Sequence, residues 1–311
     1  MDASAPRLDC TGATPPIGYR RLHPDISVNF QCNRWVQWIG PSAIDEVAEL
    51  ATRRTYPELI DGFLGLAQRA RGADRALAGA YYDRAAEFFM SATDPRRPHT
   101  RAHFLTAMRT VYGVTPELIA FGSGFLPAYD LRPERQVGPT IVMFGGFDSY
   151  IEEFLPMVAA MVDAGRRIVL FEGPGQGTPL EDYGLPMIPE WEQPMAAILD
   201  HYRLEDVAAV GISLGGGLVI RAAAFESRIS RAVAFDILDD EFEVVARQIG
   251  KGVRIPLRAL LAVRARWLVN TIAGRAAARK PVSQWGLQQG MHVTGVATPY
   301  DFLRATTTMS T

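Results

Sequence analysis

Apolar residues follow two different periods along this chain. From Tyr19 to about Gly113 they recur at helical spacing. Ser42 followed by Asp45 and Glu46 reads as an N-cap with acids in the first turn, and Val47, Leu50 and Ala51 continue one face. Tyr56 to Arg71 places Leu59, Ile60, Phe63, Leu64 and Leu66 along one side, and the Ala-rich stretch from Arg75 to Met90 carries Leu77, Tyr81, Tyr82, Phe88 and Phe89. The prolines at 95 and 98 break that pattern before a further helix from His99 to Tyr112. The aromatic group Phe30, Trp35 and Trp38 is expected to pack in the core of this helical region.

Beyond Gly113 the pattern becomes short apolar runs, each closed by a loop. Leu118–Phe121 and Phe125–Tyr129 flank Gly122 to Gly124 as extended runs. Thr140–Phe144 is a buried strand ending in Gly145-Gly146-Phe147-Asp148-Ser149, followed by a helix from Tyr150 to Ala164. Arg167–Phe171 is the next strand and ends in Glu172-Gly173-Pro174-Gly175-Gln176-Gly177; a helix follows from Pro189 to Tyr202. Val207–Val210 leads into Gly211-Ile212-Ser213-Leu214-Gly215, a helix runs from Gly216 to Phe225, and Ser230–Phe235 is a further strand ending at Asp236. Strands alternating with helices predict an α/β fold with a doubly wound, mostly parallel sheet. Right-handed crossovers bring the loops after these strands to one sheet edge, where sites form.

The chemistry concentrates in those loops. Strand, sharp turn with a serine at its tip, helix is the context that the G-x-S-x-G nucleophile elbow requires, and Gly211 to Gly215 supplies it around Ser213. No lysine follows these glycines, so the stretch is not a phosphate-binding P-loop. The Gly145-Gly146-Phe147 loop also follows a strand and precedes a helix. Its N–H groups, with that of Leu214, suit an anionic oxygen. Gly173, Gly175 and Gly177 have the wrong spacing for a dinucleotide fingerprint, and no nucleotide cofactor is expected.

Composition narrows the classes. The chain has 311 residues, 48% hydrophobic and 21% charged, with a net charge of −2. These values fit a globular protein and argue against a nucleic-acid binder. The charge is uneven: Val244 to Tyr300 holds nine Lys and Arg and no Asp or Glu, leaving −11 on the rest. A solvated basic helical face explains this most simply. A surface for an anionic substrate or an acidic carrier protein is the sharper alternative. The apolar stretch Ile255 to Ala273 carries Arg258, Arg264 and Arg266, which disfavours a membrane span. Residues 1–16 read as a loose arm without the blocks of a signal peptide, so a cytoplasmic protein is expected. Cys10 and Cys32 have no metal-ligand spacing and are expected as free thiols. His99 and His103 are four apart on a helix, but a third ligand is not evident, and no metal is expected.

Taken together, the loop motifs resemble the α/β-hydrolase superfamily. Phe144 to Ser149 with Glu152 and Glu153, then Phe171 to Gly177, then Gly211 to Gly216, are similar to FrsA-like esterases, 2,6-dihydroxypseudooxynicotine hydrolase and the fungal pigment chain-shortening hydrolases. Asn33-Arg34-Trp35 and Arg84 to Phe89 extend the resemblance into the helical region. It implies an N-terminal helical domain over residues 1–113, a hydrolase core over 114–240 and a helical lid over 241–311. By the same resemblance Ser213 is the nucleophile, and Phe147 and Leu214 supply the oxyanion-hole N–H groups. The chemistry is cleavage of an ester, or of a C–C bond beside a ketone, in an aromatic or polyketide-like small molecule. It uses a Ser–His–Asp triad without metal or nucleotide. Self-association into a homodimer is compatible with the sequence.

One departure stands out. In this fold the acid and then the histidine follow the serine, yet the only histidine after Ser213 is His292, within the lid region. Either the sequence stops short of the fold's last elements, or the triad is rearranged around His292 with Asp236, Asp239 or Asp240. The resemblance also implies an extra acid in the C–C hydrolases, for which Glu241 or Glu243 is the candidate. The rival function is a catalytically inactive binding protein of the same fold, partnering a biosynthetic carrier protein.

Overall fold

The computed structural model describes residues 18–236, 240–250 and 252–309. Cys10, the N-terminal arm and Asp239 therefore lie outside the described residues. The chain divides into two compact units. One takes residues 18–114 together with 155–160; the other takes 115–154 and the remainder from 161.

The first unit is helical. α1 (Ile26–Ile39) starts where the Asp25 carboxylate accepts the Val28 N–H at 3.0 Å. α2 (Ser42–Ala48) begins at Ser42 itself, without the side-chain cap expected there. α3 (Tyr56–Gly72) opens with a full capping box between Thr55 and Glu58. α4 (Ala76–Phe89) is buried from Ala78 to its end, and α5 (Arg97–Tyr112) closes at Gly113 in the left-handed region.

Trp35 packs edge-on against Phe63, Phe88 and Phe89, as expected of a core aromatic. Phe30 does not: it is 58% exposed. The buried face of α1 runs through Val28, Cys32, Trp35 and Val36, and Phe30 falls on the opposite side of a 3.6-residue helix. Arg84 and Arg97 are buried because Glu87 bridges them, each at 2.7 Å. Cys32 is a buried free thiol whose pKa burial pushes up to about 12. The His99 and His103 rings lie 4.0 Å apart, and no group of three metal-ligating side chains occurs among the described residues.

The second unit holds a six-stranded sheet. β1 (Glu117–Phe121) and β2 (Gly124–Leu131) form a hairpin across Gly122 and Ser123, a link short enough to join only antiparallel strands. β3 (Ile141–Phe144) precedes a single 3-10 turn at Ile151–Phe154 and α6 (Leu155–Asp163). Then come β4 (Ile168–Phe171), α7 (Gly177–Tyr183), α8 (Glu192–Tyr202), β5 (Val207–Ile212), α9 (Leu214–Phe225) and β6 (Ile229–Phe235).

The sheet order is β1-β2-β4-β3-β5-β6, with β4, β3, β5 and β6 mutually parallel. β3 and β4 are apolar throughout and almost wholly buried, as strands covered on both faces should be. Phe144, Phe171 and Trp191 pack together in this core, Phe171 stacked on Trp191 and Phe144 tilted against both.

Five helices follow in the same unit: α10 (Glu241–Ile249), α11 (Arg254–Ala262), α12 (Arg266–Ala277), α13 (Pro281–Val293) and α14 (Pro299–Met309). They have their own apolar centre in Phe242, Leu257, Val269, Tyr300 and Leu303. Their excess of arginine is partly balanced locally. Asp240 caps α10 and pairs with Arg258, while Glu243 pairs with Arg247 and Arg254. Among the described residues no helix is long and apolar enough to cross a membrane.

Candidate active site

β3 and β5 are adjacent and in register, with Phe144 opposite Gly211. The loops leaving their C-terminal ends therefore start side by side. Ser213 sits at the tip of the second loop with φ 58° and ψ −122°, a strained conformation for a residue with a side chain. Its N–H donates to the Phe235 carbonyl at 2.9 Å, and its own carbonyl accepts from Gly216 at 2.8 Å. These bonds pin the turn from the β6 side and from α9. A Cβ at Gly211 would run into the Gly215 carbonyl, so the strand can turn this sharply into the helix only without one.

The first loop closes against the second. A Cβ on Gly146 would lie 2.7 Å from the Ile212 carbonyl oxygen and 2.9 Å from the Leu214 nitrogen, so glycine lets the two backbones meet. Neither the Phe147 N–H nor the Leu214 N–H donates to an acceptor among the described residues. Leu214 is the first residue of α9, where the helix dipole is positive. Phe147, Ser213 and Leu214, the three predicted site residues, thus come together as an exposed hydroxyl and two unused N–H donors lining one cavity.

That cavity has a volume of about 270 Å³. Val244, Val245, Ile249, Trp285, Leu287 and Phe302 give it an apolar wall, and the Trp285 ring meets Phe147 edge-on at 6.4 Å. Among its described lining residues there is no Lys, Arg or His; the ionisable ones are Asp148 and Glu241. Glu241 is 5% exposed, and its Oε2 has no hydrogen-bond partner among the described residues. Burial alone pushes its carboxyl up to about 7.

The remaining candidates are placed elsewhere. The Nε2 of His292 pairs with Glu181 at 3.0 Å, and His292 does not line the cavity. Asp236 is exposed at the end of β6, and Asp240 is held by the α10 cap and Arg258. The described residues therefore do not assemble a triad from His292 with Asp236 or Asp240. Of the two extra acids considered, Glu241 faces the cavity, whereas Glu243 is engaged by Arg247 and Arg254. A buried carboxyl at the start of a charged helix resembles an ordinary first-turn acid in sequence; only the packing of α10 to α14 distinguishes the two.

With this geometry established, known proteins offer a comparison. No family model matches the chain. The chain is 36% identical over 181 residues to hydrolase acrC of Aspergillus aculeatus, which covers 53% of this chain and 41% of the relative. It is 31% identical over 198 residues to 20-hydroxy-prefusarin hydrolase FUS2 of Gibberella moniliformis, covering 59% and 45%. The chain spans less than half the length of these curated relatives. Among solved structures, 2,6-dihydroxy-pseudo-oxynicotine hydrolase superposes with a TM-score of 0.56 at 17% identity, covering 84% of this chain and 72% of that one. AbyA5 gives 0.58 at 19%, covering 80% and 67%. The chain has the α/β-hydrolase fold. Its resemblance to the group of pigment and 2,6-dihydroxypseudooxynicotine hydrolases, expected from the loop motifs, holds in its similarity to the fungal hydrolases, and the solved structures share the fold.

Proposed function

We infer that this chain is a serine hydrolase whose nucleophile is Ser213, acting on an ester or on a ketone with a cleavable C–C bond. The observation that carries this reading is the joint placement of a strained, exposed serine and two unused N–H donors on one apolar cavity. In the proposed reaction Ser213 Oγ adds to the carbonyl carbon and gives up its proton to a base. The carbonyl oxygen becomes an oxyanion between the Phe147 and Leu214 N–H groups. Collapse breaks the C–O or C–C bond, the leaving group takes a proton, and water then hydrolyses the acyl-serine. Glu241, neutral below about pH 7 and on the same cavity, is suited to give that proton to the leaving group.

The apolar wall with Trp285 and Phe302 supports an uncharged aromatic or polyketide-like substrate; the FUS2 relative is named for a 20-hydroxy-prefusarin. No cofactor is needed for this chemistry.

A second reading has its own support. Among the described residues no side chain hydrogen-bonds the Ser213 hydroxyl, and no histidine lines the cavity. This favours a binding protein that has kept the fold without turnover. Hydrolysis of a 4-nitrophenyl ester by the chain and by Ser213→Ala separates the two. A loss of about 10³-fold or more in the variant supports catalysis by Ser213; equal rates overturn it and leave the binding reading.

A further inference from the structure

Gln176 lies outside the cavity, yet it controls one of the cavity's two donors. The side chain is 2% exposed, in the loop between β4 and α7. Its Oε1 accepts the Gly173 N–H at 2.9 Å. Its Nε2 donates to the Gly145 carbonyl at 2.7 Å and to the Gly146 carbonyl at 3.3 Å. The orientation of the amide is not arbitrary, because a backbone N–H can only donate and the two carbonyls can only accept. The Gly145–Gly146 peptide is held at both ends, since the Gly146 N–H donates to Ser149 Oγ at 3.3 Å. The next peptide, Gly146–Phe147, is held only at its carbonyl. There are no cis peptide bonds among the described residues, and in a trans peptide the C=O and N–H point in opposite directions. Anchoring the Gly146 carbonyl on Gln176 therefore turns the Phe147 N–H away from Gln176. Gly146 itself lies against Ser213 and Leu214, and the Phe147 N–H is left without an acceptor among the described residues.

We propose that Gln176 is a positioning residue for the oxyanion hole, setting the Gly146–Phe147 peptide so that the Phe147 N–H faces the carbonyl attacked by Ser213. The proposal rests on the reading of Ser213 as nucleophile. The loop that carries Gln176 is itself fixed: Glu172, at its start, accepts the Thr178 N–H at 2.7 Å and the Ile151 N–H at 3.2 Å. The β4 loop thus acts as a brace for the β3 loop, with the Gln176 amide as the point of contact.

The test uses two probes of the same cavity. Phenylboronic acid forms a tetrahedral adduct on a serine nucleophile and places a B–O⁻ in the oxyanion hole; ethylbenzene, which has no oxygen, only fills the apolar space. Gln176→Met keeps the length and removes the amide, and Gln176→Glu sets a carboxylate against two carbonyl oxygens. In Gln176→Met the boronate affinity is expected to fall about 10- to 100-fold, below the 10²–10³ typical of losing a donor outright, while ethylbenzene affinity stays within about twofold. In Gln176→Glu the boronate loss, measured relative to wild type, is expected to shrink from pH 8 to pH 5, as the protonated acid regains one donor. Unchanged boronate affinity in either folded variant overturns the proposal. An equal loss for both probes also overturns it, since that marks a general loosening. A wild-type chain that binds boronate no better than Ser213→Ala does overturns the nucleophile reading itself, and this shows before any Gln176 variant is made.

Discussion

At pH 8 the Glu241 carboxyl is ionised in apolar surroundings, and replacing it with glutamine should relieve that cost. The side chain is 5% exposed, and desolvation raises its pKa from the ordinary 4.5 to about 7. That rise corresponds to about 3 kcal/mol between the charged and neutral forms. The sign follows from the direction of the shift. The folded protein holds this proton more tightly than the unfolded chain does. The stabilisation is complete below about pH 4.5 and is lost as pH rises through 7. Glutamine has the shape of the protonated acid and no titration. The difference in unfolding free energy between wild type and Glu241→Gln should therefore move by about 3 kcal/mol, in favour of the variant, between pH 4.5 and pH 8. Urea unfolding at four pH values, followed by both tryptophan fluorescence and far-UV circular dichroism, measures this difference. Two probes are needed because a chain of two compact units need not unfold in one step. A difference that stays flat across this range would refute the argument that the carboxyl is buried without a compensating partner. If Glu241 also donates the proton to the leaving group, kcat/KM should fall above about pH 7 in the wild type, and this limb should vanish in the variant.

Other consequences follow from packing and pairing. Gly211→Ala should cost about 2 kcal/mol or more, seen as a lower Tm, because the new Cβ meets the Gly215 carbonyl within a rigid turn. Trp285→Ala should weaken ethylbenzene binding by about tenfold, measured by titration calorimetry, since it removes the aromatic wall facing Phe147. Glu87→Ala should destabilise the helical unit by about 3–5 kcal/mol in urea unfolding, because it leaves the buried Arg84 and Arg97 without their shared carboxylate.

What could be read from the sequence depended on how local its cause was. Strand ends and their loops were legible because each needs only a short apolar run and a glycine at a crowded spot. Ser213, Phe147 and Leu214 follow from such runs, and the structure places all three on one cavity. Helix ends were less certain: Thr55 forms the capping box, whereas Ser42 only begins its helix. Phe30 was misplaced because aromatic residues close in sequence need not share a helix face. Glu241 was legible only as one of two acids with Glu243, and it took the packing of the helices to choose between them; Gln176 could not be read as a brace at all. Their roles come from burial and from contacts to Gly145 and Gly146 some thirty residues away, and no local pattern encodes these.

The same distinction explains why the two halves of the site are so unequal. The electrophilic half is made of backbone. Once β3 and β5 pair with Phe144 opposite Gly211, the N–H groups of Phe147 and Leu214 follow from turn geometry and from the Gln176 contact. A base, by contrast, is a side chain that some distant element must deliver. Of the five histidines, none lines the cavity, and His292 is tied to Glu181. Fixed donors alone can retain a residual 10³–10⁴-fold rate advantage over water when a triad member is missing. Slow turnover therefore does not distinguish an activated serine from an unactivated one. The Ser213→Ala ratio does, because it asks whether the hydroxyl itself carries the rate.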